Sequence, residues 1–255
     1  MIADRATLLV ALVIFLATII RSAFGFGEAL IAVPLLALVV PVEIAAPVAV
    51  LASITIALIA VVQDWRHVHV RSAGWLVLST LAGIPLGLLL LKAVPEPLVK
   101  GGLAIIIIAF SSYALLGRLL NSKQRELKND RLAWLFGFLA GVLGGAYGMN
   151  GPPLVIYGSL RKWSPQHFRA TLQGYFLPAS VIGMGGYWLA GLWTPAVTRL
   201  YLLSLPGVLL ATFLGRVINR GMDAQRFLFY VQAGLIVIGG VLLVQALQVA
   251  EKLPW

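Results

Sequence analysis

The chain has 255 residues, of which 60% are hydrophobic and 11% charged, and it contains no cysteine. A soluble domain carries about a quarter charged residues, so this composition excludes an ordinary soluble protein and predicts a chain covered by lipid. The formal net charge of +10 is typical of cytoplasmic loops that orient a membrane protein, and nucleic acid is not expected as a partner. Without cysteine, disulfides, thiolate metal sites and iron–sulfur clusters are excluded.

Apolar segments follow one another along the whole chain. A helix needs about 20 residues to span a bilayer, and we predict spanning helices over 43–62, 72–91, 98–116, 166–190, 195–217 and 224–247. Too short to span are 8–20, 28–40 and 152–160, while 132–149 is borderline and rich in glycine. The first segment is expected to stay in the mature protein, because no cleavage site followed by a soluble domain comes after it.

The short segments form two adjacent pairs, and a glycine-rich stretch interrupts each pair. AFGFG at 23–27 breaks the first pair, and AYGMNGPP at 146–153 breaks the second about 123 residues later. A common offset between equivalent breaks indicates an internal duplication. We therefore predict one membrane domain with a first repeat over 1–120, a cytoplasmic linker over 121–131 and a second repeat over 132–255.

Lysine and arginine cluster at four places along the chain, and these clusters predict the topology. They lie around 66–71, 118–131, 161–169 and 216–226, and the positive-inside rule places all four in the cytoplasm. This is consistent only if each broken pair enters and leaves the membrane on one side. The predicted fold is thus an all-α integral membrane protein of two inverted repeats, each a broken, re-entrant helix pair plus three transmembrane helices. The protein is expected in the inner (cytoplasmic) membrane, with both termini on the outer side of that membrane.

The two breaks are the expected functional centre, because a helix break inside lipid survives only where protein or a water-filled cavity surrounds it. Helix N-termini at a break offer free N–H groups and positive partial charge, which suit an anion. The glycines at 137, 141 and 145 are instead expected to serve helix packing. The residues that we expect to bind the anion are Arg21, Phe24, Gly25, Phe26, Gly27, Tyr147, Gly148, Met149, Asn150, Gly151, Pro152, Gln173 and Tyr175.

Several of these residues also have an ordinary structural explanation. Arg21 either pairs with an anion at mid-depth or extends toward an interface. Glu28 either complements the start of its helix or is a protonatable coupling group, and Asn150 is expected to hold its equivalent place in the second half. Gln173 either links helices or contacts the ligand. Aromatic side chains such as Phe176 either line a cavity or pack.

Three short motifs at the breaks carry a family resemblance: FGFG at 24–27, GPPLV at 151–155 and FRAT at 168–171. With them the sequence resembles the TauE/SafE family of sulfite-exporter-like membrane proteins over essentially its whole length. Asn150 and Glu28 depart from the family's glycine-rich pattern. The resemblance implies transport of sulfur-containing anions, such as sulfite, thiosulfate, sulfoacetate and other organosulfonates, in either direction.

The sequence therefore predicts a secondary transporter of an organosulfonate or sulfite-like anion, working by alternating access within the lipid bilayer. An anion channel is the alternative within transport, and an intramembrane enzyme or a membrane scaffold are the alternatives from other classes. No enzyme, metal site or cofactor is expected, because no catalytic set lies within the membrane and His67, His69 and His167 lack metal-ligand spacing. The substrate, the coupling ion, and whether the chain forms a homo-oligomer stay open.

Overall fold

A computed structural model describes residues 5–64, 70–119, 132–218 and 224–250 of the chain. Within these ranges the structure is all-helical, without strands, which confirms the predicted fold class. The predicted linker 121–131 and the histidines at 67 and 69 lie outside the described residues.

Ten helices make up the described part of the chain, five in each predicted repeat. The first repeat contains α1 (Arg5–Phe24), α2 (Glu28–Ala37), α3 (Val42–Asp64), α4 (Val70–Ala93) and α5 (Glu96–Leu119). The second repeat contains α6 (Leu132–Tyr147), α7 (Gly151–Leu160), α8 (Pro165–Leu189), α9 (Pro195–Ile218) and α10 (Ala224–Ala250).

Among the described helices, α1, α3, α4, α5, α9 and α10 are long and apolar enough to cross a membrane. The chain is therefore a multi-pass membrane protein. The prediction that the first segment is too short to span is wrong, because α1 extends beyond the apolar stretch at both ends and reaches 20 residues. Conversely, α8 is 25 residues long, yet it is not one of the six, because polar residues, glycines and a proline lower the hydropathy along most of its length.

Two helix pairs approach so closely that only glycine fits between their backbones. In the pair α4–α6, a Cβ atom on Gly83 would lie 2.1 Å from a carbonyl oxygen of α6, and one on Gly141 would lie 2.3 Å from a carbonyl oxygen of α4. In the pair α1–α9, a Cβ on Gly215 would lie 2.6 Å from the Ile19 carbonyl oxygen. These contacts confirm the packing role expected of the glycines in α6.

The main pairs of long helices are preserved when the two halves exchange places. Exchanging each helix of the first half for its counterpart in the second turns the pair α1–α9 into α6–α4. It also maps the pairs α5–α10 and α3–α8 onto themselves. Two structurally equivalent halves would produce this pairing, and their inverted orientation in the membrane stays a prediction.

The centre of the molecule is formed around α2 and α3. The spanning window of α3 is 61% buried, against 28–39% for the other five spans, so α3 is surrounded by protein where the others also face outward. Most of α2 is buried as well. On α1, by contrast, Leu8, Leu12 and Leu16 are exposed while Val10 and Ile14 are buried, as expected for a helix with one face toward lipid. The first break, between α1 and α2, therefore lies in the protein interior.

Candidate functional site

The first helix of each broken pair ends in the same local structure. The Gly25 amide donates to the Arg21 carbonyl at 2.6 Å and the Gly148 amide donates to the Gly144 carbonyl at 2.9 Å. Both glycines are left-handed, with φ of +86° and +65°. This is the αL helix cap, in which glycine avoids the Cβ strain of positive φ. The helices are thus interrupted where the sequence predicts, at positions 123 residues apart.

The second helix of each pair starts three residues after the capping glycine. Gly27, with φ +98°, is the N-cap of α2, and Asn150 is the N-cap of α7. Neither of these N-caps makes a side-chain capping hydrogen bond within the described structure. The counterpart of Asn150 is therefore Gly27, and the counterpart of Glu28 is Gly151. The prediction that Asn150 is equivalent to Glu28 is therefore wrong by one position. Which residues are equivalent depends on where each helix begins.

The two breaks meet at one cavity. Its wall combines the end of α1, the start of α2, the start of α7 and parts of α3, α5 and α8. The lining residues are Arg21, Phe26, Gly27, Glu28, Ala29, Leu30, Ser53, Phe110, Gly148, Asn150, Gly151, Pro152, Val155, Phe176 and Ser180.

A buried ion pair dominates one wall of this cavity. Arg21 Nη1 donates to Glu28 Oε2 at 2.7 Å and also to the Ser53 hydroxyl. The guanidinium carbon lies 4.9 Å from the centroid of the Phe176 ring, a cation–π distance. Arg21 is only 7% exposed, so its side chain stays in the protein interior and does not extend to an interface.

Glu28 has one carboxylate oxygen engaged and one without a partner. The residue is 1% exposed, and Oε2 accepts from Arg21. Oε1 is buried and has no hydrogen-bond partner among the described residues. A buried polar atom without a partner is costly and marks a place where a ligand, a water or a proton fits.

The two helix N-termini at the cavity offer different numbers of donors. The first amides of a helix have no acceptor within it, and in α2 the residues that carry them, Glu28 to Leu30, all line the cavity. In α7 the first residue, Gly151, is followed by Pro152 and Pro153, which have no N–H group. The predicted anion-binding amides are therefore mainly those of α2, with Gly151 as the donor that α7 contributes.

The charge at the site belongs to the first half alone. At the 123-residue offset, Arg21 corresponds to Gly144 and Ser53 corresponds to Phe176. A Cβ atom on Gly144 would lie 2.6 Å from the Asn150 side-chain oxygen, so the Asn150 amide occupies the space beside this counterpart of Arg21. The cavity thus has a polar wall at Arg21, Glu28 and Ser53, and the rest of its lining is largely apolar.

Four of the predicted site residues do not line the cavity. Gly25 forms the helix cap, and Met149 is fully buried in the hydrophobic core. The Tyr147 hydroxyl donates to the Val99 carbonyl at 3.1 Å, away from the break. The Tyr175 hydroxyl lies 2.7 Å from the Thr80 hydroxyl and 3.5 Å from the Asn150 amide nitrogen, so it supports a lining residue. Two further predicted site residues, Phe24 and Gln173, have side chains that the structure does not describe.

Other lining residues were not predicted from the sequence. Ser53 and Ser180 are hydroxyl-bearing residues in largely apolar stretches of α3 and α8, and such isolated polar residues within a membrane helix are a signal that could have identified them. Phe110 on α5 gave no such signal, since aromatic residues in membrane helices are common. Phe176, one of the aromatic side chains with two explanations, both lines the cavity and stacks on Arg21.

A family model described as Sulfite exporter TauE/SafE matches residues 10–243 of the chain. The match includes both breaks and all the residues that line the cavity. Comparisons with curated proteins and with solved structures found no match.

Proposed function

Because the chain belongs to the sulfite exporter TauE/SafE family, we propose that it is a secondary transporter whose sulfur-containing anion binds in the cavity between the two helix breaks. The observation that carries the proposal is the position of Arg21, a buried guanidinium at the wall of a cavity that the start of α2 also lines. A cation inside a membrane protein is costly and by default functional. Here it lies beside amide donors that also favour an anion.

The polar wall suits the oxygens of a sulfite or sulfonate group. Arg21 supplies charged donors, and the hydroxyls of Ser53 and Ser180 supply neutral ones. The first-turn amides of α2 point the positive end of that helix into the same space. A group with three acceptor oxygens can bind several of these donors at once, which single-acceptor ligands cannot.

The apolar part of the lining favours an anion that also carries a small carbon substituent. Phe26, Phe110, Phe176 and Val155 supply apolar surface to the lining, and Phe176 also lies against Arg21. A methyl or larger group on sulfur would remove apolar surface from water there. An organosulfonate therefore fits the cavity at least as well as sulfite does.

Alternating access between inverted halves is the proposed mechanism. The cavity lies between α1, α2, α3 and α5 of the first half and α7 and α8 of the second. Movement of one half against the other would open such a boundary toward either side in turn. The left-handed glycine cap at the end of both α1 and α6, and the preserved pairing of the long helices, support equivalent halves. The four basic clusters support cytoplasmic linkers with both termini outside, in the inner membrane.

The test is anion flux through the full chain reconstituted in liposomes, with labelled sulfite and labelled methanesulfonate as probes. A carrier gives saturable uptake and counterflow against preloaded anion. An anion channel gives flux without counterflow, and an enzyme or scaffold gives none. Arg21→Gln is expected to abolish saturable uptake, because it removes the charged donor. Arg199→Gln, which removes an exposed arginine outside the cavity, is the matched control and should transport like the wild type.

A further inference from the structure

The geometry points to Glu28 as an internal anion, which the transported anion replaces on Arg21 while the Glu28 carboxylate takes up a proton. This inference rests on the transport function proposed above and adds to it the coupling ion and the stoichiometry. It starts from the fact that the donor expected to hold the substrate is already occupied, because Arg21 Nη1 lies 2.7 Å from Glu28 Oε2.

The free oxygen of Glu28 gives the proton a place to bind. Oε1 is buried and unpartnered within the described structure, while Glu28 itself lines the cavity. A proton on this oxygen neutralises the carboxylate and weakens its attraction to Arg21. The bond from Arg21 Nη1 to Oε2 then breaks, and the same N–H donates to an oxygen of the entering anion.

Arg21 is the one charged group that faces Glu28 across the described cavity wall. The residues that α3, α5, α7 and α8 contribute to the lining are hydroxyl, amide, aromatic, aliphatic or glycine residues, none of which titrates near neutral pH. Although α10 also packs against α2, the described lining includes no residue from it. The empty site therefore contains one positive and one negative group and is neutral overall.

Charge balance then fixes how many protons accompany one anion. A monoanion added to the intact Arg21–Glu28 pair would leave a net negative charge in the protein interior, and a proton added alone would leave a net positive charge. Both states contain an uncompensated buried charge, which is strongly disfavoured. A proton and a monoanion bound together leave the site neutral, as it is when empty. These two neutral states are the ones that can change access, so one proton moves with each monoanion in the same direction.

The stoichiometry can be measured on the wild-type chain. Methanesulfonate is the probe, because it stays a monoanion over the working pH range and its own protonation cannot produce the effect. Liposomes with a pH-sensitive dye inside and labelled methanesulfonate outside should show one proton entering per anion. A pH gradient, acidic outside, should drive accumulation, and an imposed membrane potential should not change it. Uptake of methanesulfonate without proton entry, or uptake driven by the membrane potential alone, would overturn the proposed co-transport of one proton with each anion.

A matched pair of carboxylate variants assigns the proton to its residue. Glu28→Gln keeps the shape of the protonated side chain, so proton entry and accumulation against a gradient should be lost, and counterflow should no longer respond to pH. Glu43→Gln removes an exposed carboxylate at the start of α3 and should keep proton-driven accumulation. Proton-coupled accumulation by Glu28→Gln would refute the role of Glu28. Flux without protons in the wild type defeats only this inference, whereas no flux of sulfite or methanesulfonate defeats the transport function as well.

Discussion

Breaking the Arg21–Glu28 pair on one side should destabilise the protein more than removing both charges. In Arg21→Met the carboxylate of Glu28, 1% exposed, loses its partner inside the protein. Removing one member of a buried ion pair typically costs about 3–5 kcal/mol, because the other charge stays buried without compensation. Methionine keeps the apolar contact with Phe176, so lost packing contributes little to this cost.

The double variant Arg21→Met/Glu28→Leu separates the two contributions to that cost. It removes both charges together with the unpartnered Oε1 atom, and replacing a buried pair by apolar residues is often neutral or stabilising by about 1–4 kcal/mol. The double variant should therefore be at least as stable as the wild type, although it should transport nothing. Together with the single variant Glu28→Leu, these variants form a double-mutant cycle that gives the coupling energy between the two residues.

Reversible unfolding in detergent micelles, followed by circular dichroism, provides the free energies of unfolding. The matched control is the pair Lys100–Glu96, whose atoms approach to 3.0 Å but whose side chains are 21% and 48% exposed. Lys100→Met should cost less than about 1 kcal/mol, because water screens that pair. A cost for Arg21→Met no larger than that for Lys100→Met, or a double variant as unstable as Arg21→Met, would refute an uncompensated buried charge as the cause.

Three further predictions concern the glycines and one tyrosine. Gly83→Ala should lower the free energy of unfolding in micelles by about 1–3 kcal/mol, because the new methyl group overpacks against α6. Gly117→Ala on α5, where a Cβ atom meets open space, should instead raise the free energy of unfolding by up to about 1 kcal/mol. Gly27→Ala should lower the free energy of unfolding by about 1–2 kcal/mol, because the φ angle of Gly27 is +98°. Gly151→Ala, at a site with open space and no positive φ, should leave the stability unchanged. Equal losses of stability in the two variants would refute backbone strain as the cause. Tyr175→Phe should raise the KM for anion uptake with a loss of only about 1 kcal/mol in stability, and an unchanged KM would refute its support of the α7 N-terminus.

Local backbone features at the breaks could be predicted from the sequence because their causes are local. Gly25 and Gly148 adopt positive φ, which glycine does at little cost. Pro152 lies in the first turn of α7, where its missing N–H leaves no acceptor unpaired. The apolar composition likewise predicts a membrane protein regardless of how the helices pack. These inferences need only the residue types and their order along the chain.

Side-chain partners at the site could not be predicted, because they depend on how the chain folds back on itself. Arg21 and Glu28 are seven residues apart, and the break between them determines whether they meet. Ser53 joins them from 32 residues beyond Arg21, which no local pattern indicates. Tyr147 lies directly before the glycine of the second break, just as Phe26 lies directly after the glycine of the first break. Phe26 lines the cavity, whereas the Tyr147 hydroxyl binds a carbonyl of α5.

The sequence by itself determined that the chain spans a membrane and where its helices break, since composition and backbone preference act residue by residue. Only the tertiary structure decided which groups face the cavity. A helix turns by about 100° per residue, so a shift of one position in a helix start redirects every side chain that follows. For that reason the pairing of Arg21 with Glu28, and the register that aligns Asn150 with Gly27, emerged only once the helices were packed together.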